Sequence, residues 1–245
     1  MAEDRRTSIR NSHWLVFKPS EGVYFSETNT TWKLSPFLSE RVLHGDEVNS
    51  VEISEASGVC IATQIDGPLR GREAILKVRM QIPPWYDQPG ECSRDKAYYA
   101  KFKSNQISHW ADHEINILDE LTKKGCSCTP KLLSFATQKQ RDTDWVPGGY
   151  IVFILMEKLP GRDLTAFDTF SPDRRYEVRI AFGRAIRELH ALGYWHQDPD
   201  KKNALWDEES KKCFILDMED VTYEGKRIQF VPKRDYGRWG IDRDF

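Results

Sequence analysis

The chain has 245 residues, enough for one large domain or for two lobes that share a cleft. Its 36 basic and 38 acidic side chains leave a net charge of -2, and 39% of its residues are hydrophobic. This balance argues against a polybasic nucleic-acid footprint and against an acidic tail. We therefore expect a globular protein with a sizeable core and no nucleic-acid partner.

Apolar stretches are short throughout the sequence. The longest uninterrupted one, Tyr150–Met156, is far too short to span a bilayer. The first twelve residues are polar and charged, without the apolar stretch of a signal peptide. These features predict a cytoplasmic or nuclear protein with no membrane partner.

Five cysteines are scattered along the chain, at positions Cys60, Cys92, Cys126, Cys128 and Cys213. An odd and scattered set is typical of reduced thiols in an intracellular protein. Cys126 and Cys128 form the one close pair. A zinc site there would need two more ligands at suitable spacing, and the sequence offers no second pair, so the pattern favours free thiols over metal.

The first half of the chain predicts an antiparallel meander. Residues 1–45 contain many aromatic side chains, and we interpret them as an N-terminal extension that packs on the first lobe. Three strands are predicted after it, and a turn with one glycine, Glu55–Gly58, separates the first two. The strands are Val48–Ile53, Val59–Ile65 and Ala74–Met80.

Two helices and a buried strand follow an irregular segment at about residues 85–105. A helix is predicted over Ser108–Lys124 and ends at Gly125. The apolar run Tyr150–Met156 has the length of a buried strand. A second helix begins at Ser171-Pro172 and ends near Leu192, because serine caps a helix and proline suits its first turn. Its core face is Val178, Phe182, Ile186 and Leu189, at helical spacing.

Three polar residues in the last quarter of the chain form a pattern that indicates a catalytic function. Asp198 and Asn203 lie five residues apart in one loop, and Asp217 follows the short apolar strand Phe214–Leu216. Phosphoryl transfer needs one carboxylate to orient the acceptor hydroxyl and to take its proton. It also needs a second carboxylate and an amide oxygen to hold magnesium against the phosphates.

This pattern resembles the protein-kinase-like superfamily. The spacing from Asp198 to Asn203 matches the kinase catalytic loop, and Asp217-Met218-Glu219 takes the place of the D-F-G motif. Its final glutamate is similar to the branch of choline kinases, aminoglycoside phosphotransferases and fungal kinase-like proteins. Lys77 and Glu114 resemble the kinase ion pair, and the resemblance extends over about residues 48–220.

The resemblance implies an α+β, bilobal protein-kinase-like fold with an antiparallel sheet in its N-lobe and a reduced helical C-lobe. The N-lobe would cover residues 46–157, with strands and one helix, and the C-lobe residues 158–245. The resemblance also implies that backbone groups of Glu157 and Leu159 bind adenine at the hinge between the lobes.

The same resemblance assigns cofactors, partners and roles. ATP and Mg²⁺ would be bound, with Asn203 and Asp217 as metal ligands and Lys77, held by Glu114, at the phosphates. Asp198 would be the catalytic residue. Gly58 would lie in the loop that covers the phosphates. The partners would be a nucleotide and a hydroxyl-bearing acceptor, either a protein or a metabolite.

Some features depart from the kinase pattern. The expected glycine-rich loop has Gly58 alone, Gln197 replaces the arginine before the catalytic aspartate, and no A-P-E motif follows Asp217. Few residues remain for the helices that bind peptide substrates. We therefore keep two alternatives: a pseudokinase-like nucleotide-binding or scaffold protein without catalysis, and a fragment of a longer kinase.

Overall fold

The computed structural model describes residues 14–15, 22–48, 51–84 and 95–243; the side chains of residues 45–48 and 51–52 are not considered. The chain divides into two compact units. The first comprises residues 1–115 and 132–157, and the second comprises residues 116–131 and 158–245. The division places the change of unit between Glu157 and Lys158, next to the predicted hinge.

A six-stranded antiparallel sheet forms the first unit, in the order β1-β2-β3-β4-β6-β5. The strands are β1 (Gly22–Phe25), β2 (Thr30–Val48), β3 (Val51–Asp66), β4 (Glu73–Ile82), β5 (Leu132–Lys139) and β6 (Tyr150–Glu157). Residues 22–45, which the sequence assigns to an extension, form β1 and most of β2. The predicted boundary after residue 45 therefore falls inside a strand.

One face of this sheet carries the apolar core. Alternate residues of β4, from Ala74 through Leu76 and Val78 to Met80, pack with Trp14, Trp32 and Phe153. Because side chains alternate across a strand, Lys77 and Arg79 lie on the opposite face. The strand is buried on both faces along most of its length, and its second face buries the polar side chains of Lys77, Arg79 and Gln81.

Two α-helices lie between β4 and β5 in the chain. The short α1 (Lys96–Tyr99) is followed by a 3₁₀ turn and then by the longer α2 (His109–Lys123). The predicted helix at 108–124 and the predicted strand at 150–156 are confirmed as α2 and β6. Part of the predicted irregular segment, residues 85–94, lies outside the described residues.

The second unit is built around α3 (Pro172–Ala191). The Ser171 hydroxyl caps it by accepting a hydrogen bond from Arg174 N at 3.3 Å, so the predicted helix start is confirmed. The predicted core face is confirmed as well, because Val178, Phe182 and Leu189 are fully buried.

Small sheets and a short helix complete the second unit. A three-stranded sheet has the order β10-β9-β7, and β11 pairs with β8. The strands are β7 (Arg162–Asp163), β8 (Tyr194–His196), β9 (Ala204–Asp207), β10 (Lys212–Ile215) and β11 (Val221–Tyr223), and α4 (Pro232–Arg238) follows. The antiparallel sheets and helices agree with the predicted α+β class. In the part of the chain described, no helix combines the length and apolarity that crossing a membrane requires.

Candidate active site

Two loops of the second unit hold the predicted chemical residues. Asp198 lies in the loop after β8, and Asn203 ends the 3₁₀ turn that precedes β9. The Asn203 side-chain amide donates to the main-chain oxygen of Asp198 at 3.1 Å. That bond uses the amide nitrogen, so the amide oxygen is the atom left to bind a cation.

Main-chain hydrogen bonds join these two loops. The main-chain oxygen of Asn203 accepts from Leu216 N at 2.8 Å, and Asp220 O accepts from Gln197 N at 2.7 Å. The residues on either side of Asp217 are therefore fixed to residues on either side of Asp198. The fold holds Asp198, Asn203 and Asp217 on one bonded framework.

The backbone of Asp217 has an unusual conformation, with φ 62° and ψ 71°. This left-handed region is uncommon for a residue other than glycine, although aspartate tolerates it better than most. Strained backbone of this kind clusters at functional sites, because the surrounding structure must hold it. Two other described non-glycine residues, Asn29 and Lys211, also have positive φ, and of the three Asp217 is the one that the sequence assigned to the site.

His196 links the two loops through its ring. Its Nε2 lies 2.9 Å from Leu216 O, and a carbonyl can only accept, so Nε2 carries the proton. Burial lowers the pKa of His196, and the hydrogen bond to Leu216 opposes that effect in part. A neutral, buried ring of this kind positions the loops, as expected for a structural histidine.

The last helix, α4, also contacts this framework. The sequence analysis did not predict this contact. Arg238 in α4 donates to His196 O at 3.0 Å, and the Trp239 ring meets the His196 ring edge-on at 5.1 Å. The Arg238 guanidinium also lies 4.1 Å from the centre of the Trp195 ring. This short helix thereby braces the strand that leads to Asp198. No motif marks it in the sequence.

In the first unit, Lys77 forms the predicted ion pair. Its Nζ lies 2.8 Å from Glu114 Oε1, and both side chains are buried. Lys77 is placed by β4, between Val59 of β3 and Ile154 of β6. Glu114 comes from α2. The pair supplies the charge compensation that a buried lysine requires.

A second buried cation, Arg79, shares the same carboxylate. Its Nη2 lies 2.9 Å from Glu114 Oε2, and its Nη1 lies 2.6 Å from Glu55 Oε1. Glu55 also accepts hydrogen bonds from the hydroxyls of Ser108 at 2.5 Å and Tyr150 at 2.9 Å. The described residues thus include one buried network of charges, formed by Lys77, Arg79, Glu55 and Glu114.

Sequence reasoning missed Arg79 and Glu55, although a signal was present. Burying an unpaired charge inside an apolar strand is costly, so Arg79, like Lys77, requires a buried partner. Both point to the same face, two residues apart. Burial raises the pKa of Tyr150 well above its usual value, so its hydroxyl stays a hydrogen-bond donor to Glu55.

The predicted turn at Glu55–Gly58 is wrong. These residues lie inside β3, which runs without interruption from Val51 to Asp66. Their polar side chains suggested a turn, but Glu55 and Ser57 are buried on the face of the charged network. Gly58 therefore does not lie in a phosphate-covering loop. The connection between β2 and β3, at residues 49–50, lies outside the described residues.

Packing explains the glycine at position 58. A Cβ added there would lie 2.5 Å from Leu15 Cδ1 and 2.8 Å from Phe37 Cδ1. We expect Gly58→Ala to lower the free energy of unfolding by about 1–3 kcal/mol, as overpacking of a core does. Chemical denaturation followed by circular dichroism would measure this change.

Gly237→Ala is the matched control for that substitution. Gly237 lies in α4, and a Cβ there would meet only ordinary contact, 3.6 Å from an Asp242 oxygen. Alanine is also the better helix former, by about 1 kcal/mol. A Gly58→Ala protein as stable as the wild type would contradict the packing explanation.

The predicted hinge residues lie where the chain passes from one unit to the next. Glu157 is the last residue of β6, and Leu159 lies in the segment between β6 and β7. Both are partly buried. Their backbone contacts with adenine stay a prediction.

Comparison with models of known protein families places this chain in one of them. The model of the lipopolysaccharide kinase (Kdo/WaaP) family matches residues 88–229, more than half of the chain. The chain belongs to this family. The match includes Glu114, Asp198, Asn203 and Asp217, and it ends before α4. No curated protein matches the chain.

Membership in the lipopolysaccharide kinase family decides the class of protein. The family belongs to the protein-kinase-like superfamily, so the predicted superfamily is confirmed. Its members are kinases, which confirms the prediction of a kinase-like phosphotransferase. The family also supports a sugar or another small molecule as the acceptor class.

Proposed function

We propose that this protein transfers the γ-phosphoryl group of ATP, with Mg²⁺, to a hydroxyl group of a sugar or a related small molecule. The observation that carries the proposal is the bonded framework of the second unit. It fixes the loop of Asp198 and Asn203 to the segment that ends at Asp217. Family membership alone would not assign roles to these residues.

The second unit supplies an acid, an amide and a further acid. Asn203 and Asp217 would hold Mg²⁺ through oxygen atoms, which are the ligands that this hard cation prefers. Asp198 would accept a hydrogen bond from the acceptor hydroxyl and take its proton as the new phosphate ester forms. The leaving group would be ADP, and Mg²⁺ held by Asn203 and Asp217 would neutralise its developing charge.

The first unit supplies a lysine that is held in place. Lys77 would contact the α- and β-phosphates, and its bond to Glu114 fixes the position of the ammonium group. Backbone groups of Glu157 and Leu159, in the connection between the units, would contact adenine. We also propose that the two units act as the two lobes of a kinase-like fold.

The acceptor class follows from the family. Its description names a lipopolysaccharide kinase, an enzyme that acts on a sugar-containing molecule. We therefore propose a sugar hydroxyl as the acceptor.

A transfer assay with γ-labelled ATP tests the proposal. We expect Mg²⁺-dependent labelling of at least one acceptor in a panel of sugars, amino alcohols and peptides, and labelling of sugars above peptides. Omission of Mg²⁺ should abolish the transfer.

A thermal-shift measurement with Mg-ATP distinguishes the ways in which the proposal can fail. Stabilisation by ATP without transfer to any acceptor would favour the pseudokinase-like alternative. A stabilisation of about 1 kcal/mol requires ATP at a concentration several-fold above its Kd, which millimolar ATP reaches at ordinary affinities. Absence of any shift in melting temperature at millimolar ATP would therefore contradict nucleotide binding itself.

A further inference from the structure

A pair of thiols and a carboxylate lie together in the second unit, outside the residues assigned to phosphoryl transfer. Cys126 and Cys128 follow the end of α2, and their sulfur atoms are 3.4 Å apart. Both side chains are buried, with 2% and 3% of their surface exposed. Glu188 approaches from α3, and one of its oxygen atoms lies within 4.8 Å of both sulfurs.

The residue between the two cysteines orients this carboxylate. Ser127 donates its main-chain N–H to Glu188 Oε1 at 2.6 Å and its hydroxyl to Oε2 at 2.8 Å. Hydrogen bonds of this kind position ligating carboxylates in metal sites, and each oxygen keeps a further lone pair. The Cys126-Ser127-Cys128 segment therefore presents two thiols and fixes the third donor.

The distances suit a tetrahedral ion with little rearrangement. Zinc–sulfur bonds of about 2.3 Å in tetrahedral geometry place two sulfur ligands roughly 3.8 Å apart. The observed separation of 3.4 Å would have to open by a few tenths of an ångström. Thiolates are ligands for soft and borderline cations, and hard cations such as Mg²⁺ prefer oxygen.

The thiol pair packs against α3. Cys128 Sγ lies 3.3 Å from Ala185 O, the carbonyl of an α3 residue. Both thiols are thus held between the end of α2 and the side of α3.

From this arrangement we propose that Cys126, Cys128 and Glu188 form a binding site for a thiophilic divalent cation of the Zn²⁺ class. The fourth position of the tetrahedron would hold a water molecule, as in zinc sites with three protein ligands. The sequence alone argued against this site because it offered no second cysteine or histidine pair. The third donor lies 60 residues further along the chain and is a glutamate.

An ion at this position would also stabilise the segment that leads to Asp217. Ile215 N donates to Cys128 O at 2.7 Å, two residues before Asp217. The site would thereby join α2, α3 and β10 at one point. Because metals bind the folded site in preference to the unfolded chain, binding should raise the melting temperature.

Cobalt titration of the full-length, reduced protein tests the site without nucleotide or acceptor. We expect one equivalent of Co²⁺ to bind with an intense sulfur-to-cobalt charge-transfer absorption, and Zn²⁺ to displace it. Cys126→Ser and Cys128→Ser should each abolish this absorption.

Matched variants separate ligation from folding. Cys213→Ser removes another buried thiol of the same unit and should leave the Co²⁺ spectrum unchanged. Ser127→Ala, which removes a hydrogen bond to the carboxylate, should weaken Zn²⁺ binding about 10–100-fold. Glu188→Gln replaces a partly exposed side chain and should weaken it at least as much without unfolding the protein.

The proposal is overturned if wild-type protein shows no charge-transfer absorption, or if Cys126→Ser keeps it. Equal Zn²⁺ affinity in Glu188→Gln and in wild type would remove the carboxylate from the site. None of these readouts depends on phosphoryl transfer, so their failure leaves the proposed kinase activity to be decided by its own assay.

Discussion

Replacement of Asp198 by asparagine should abolish phosphoryl transfer while nucleotide binding persists. Asparagine keeps the shape of the side chain but cannot accept a proton from the acceptor hydroxyl. General-base catalysis contributes about 10²–10⁴-fold, so kcat should fall by that factor. The loop itself should survive, because Asn203 bonds to the main-chain oxygen of Asp198 and not to its carboxylate.

Asp200→Asn is the matched control, because Asp200 lies in the same loop. Its carboxylate accepts from Lys202 N at 2.9 Å, a capping bond that asparagine can also make. We expect activity close to that of wild type, measured by the same γ-phosphate transfer assay. Equal losses in the two variants, or near-normal turnover in Asp198→Asn, would contradict the role assigned to Asp198.

The second large effect concerns stability. Arg79→Met should lower the free energy of unfolding by about 3–5 kcal/mol, because it leaves Glu55 and Glu114 buried with one cation fewer. Methionine fills much of the same volume, so the loss reports charge more than packing. Urea denaturation followed by circular dichroism would measure it.

A double variant tests the electrostatic origin of this loss. Arg79 pairs with the fully buried Glu55, so Arg79→Met leaves the negative charge of Glu55 without this partner. Adding Glu55→Gln removes that charge, and the double variant should be more stable than Arg79→Met alone. Further destabilisation by Glu55→Gln would refute the charge-balance explanation.

An exposed ion pair provides the comparison for Arg79→Met. Arg141 pairs with Asp144 at 3.4 Å, and 68% of the Arg141 side chain is exposed. Arg141→Met should cost less than about 1 kcal/mol, because water screens the pair and solvates either charge alone. Similar losses of unfolding free energy in Arg79→Met and Arg141→Met would mean that burial does not determine how much each ion pair stabilises the protein.

The sequence predicted those features that short-range patterns specify. Ser171 and Pro172 marked the start of α3, and helical spacing identified its buried face. The spacing from Asp198 to Asn203 matched the kinase catalytic loop, and both residues lie between β8 and β9. Lys77 was identified by its resemblance to the lysine of the kinase ion pair.

Local patterns failed where the partner is distant in sequence. Glu55, Ser57 and Gly58 looked like a turn, because polar residues and glycine are common in turns. In the structure the polar side chains face buried charges, and the glycine leaves room for Leu15 and Phe37. A strand and a turn differ here only through contacts with residues that are far along the chain.

The sequence by itself determined the chemical types and the order of the residues at the candidate active site, from Lys77 through Glu114 to Asp198, Asn203 and Asp217. The resemblance to kinase motifs carries that information, because it matches residue types in their order along the chain. Only the tertiary structure decided that Arg79 shares Glu114, that Arg238 braces the Asp198 loop, and that Glu188 meets the two thiols. Those contacts join elements 35 or more residues apart, and no local pattern in a single sequence specifies which distant side chains will pack together.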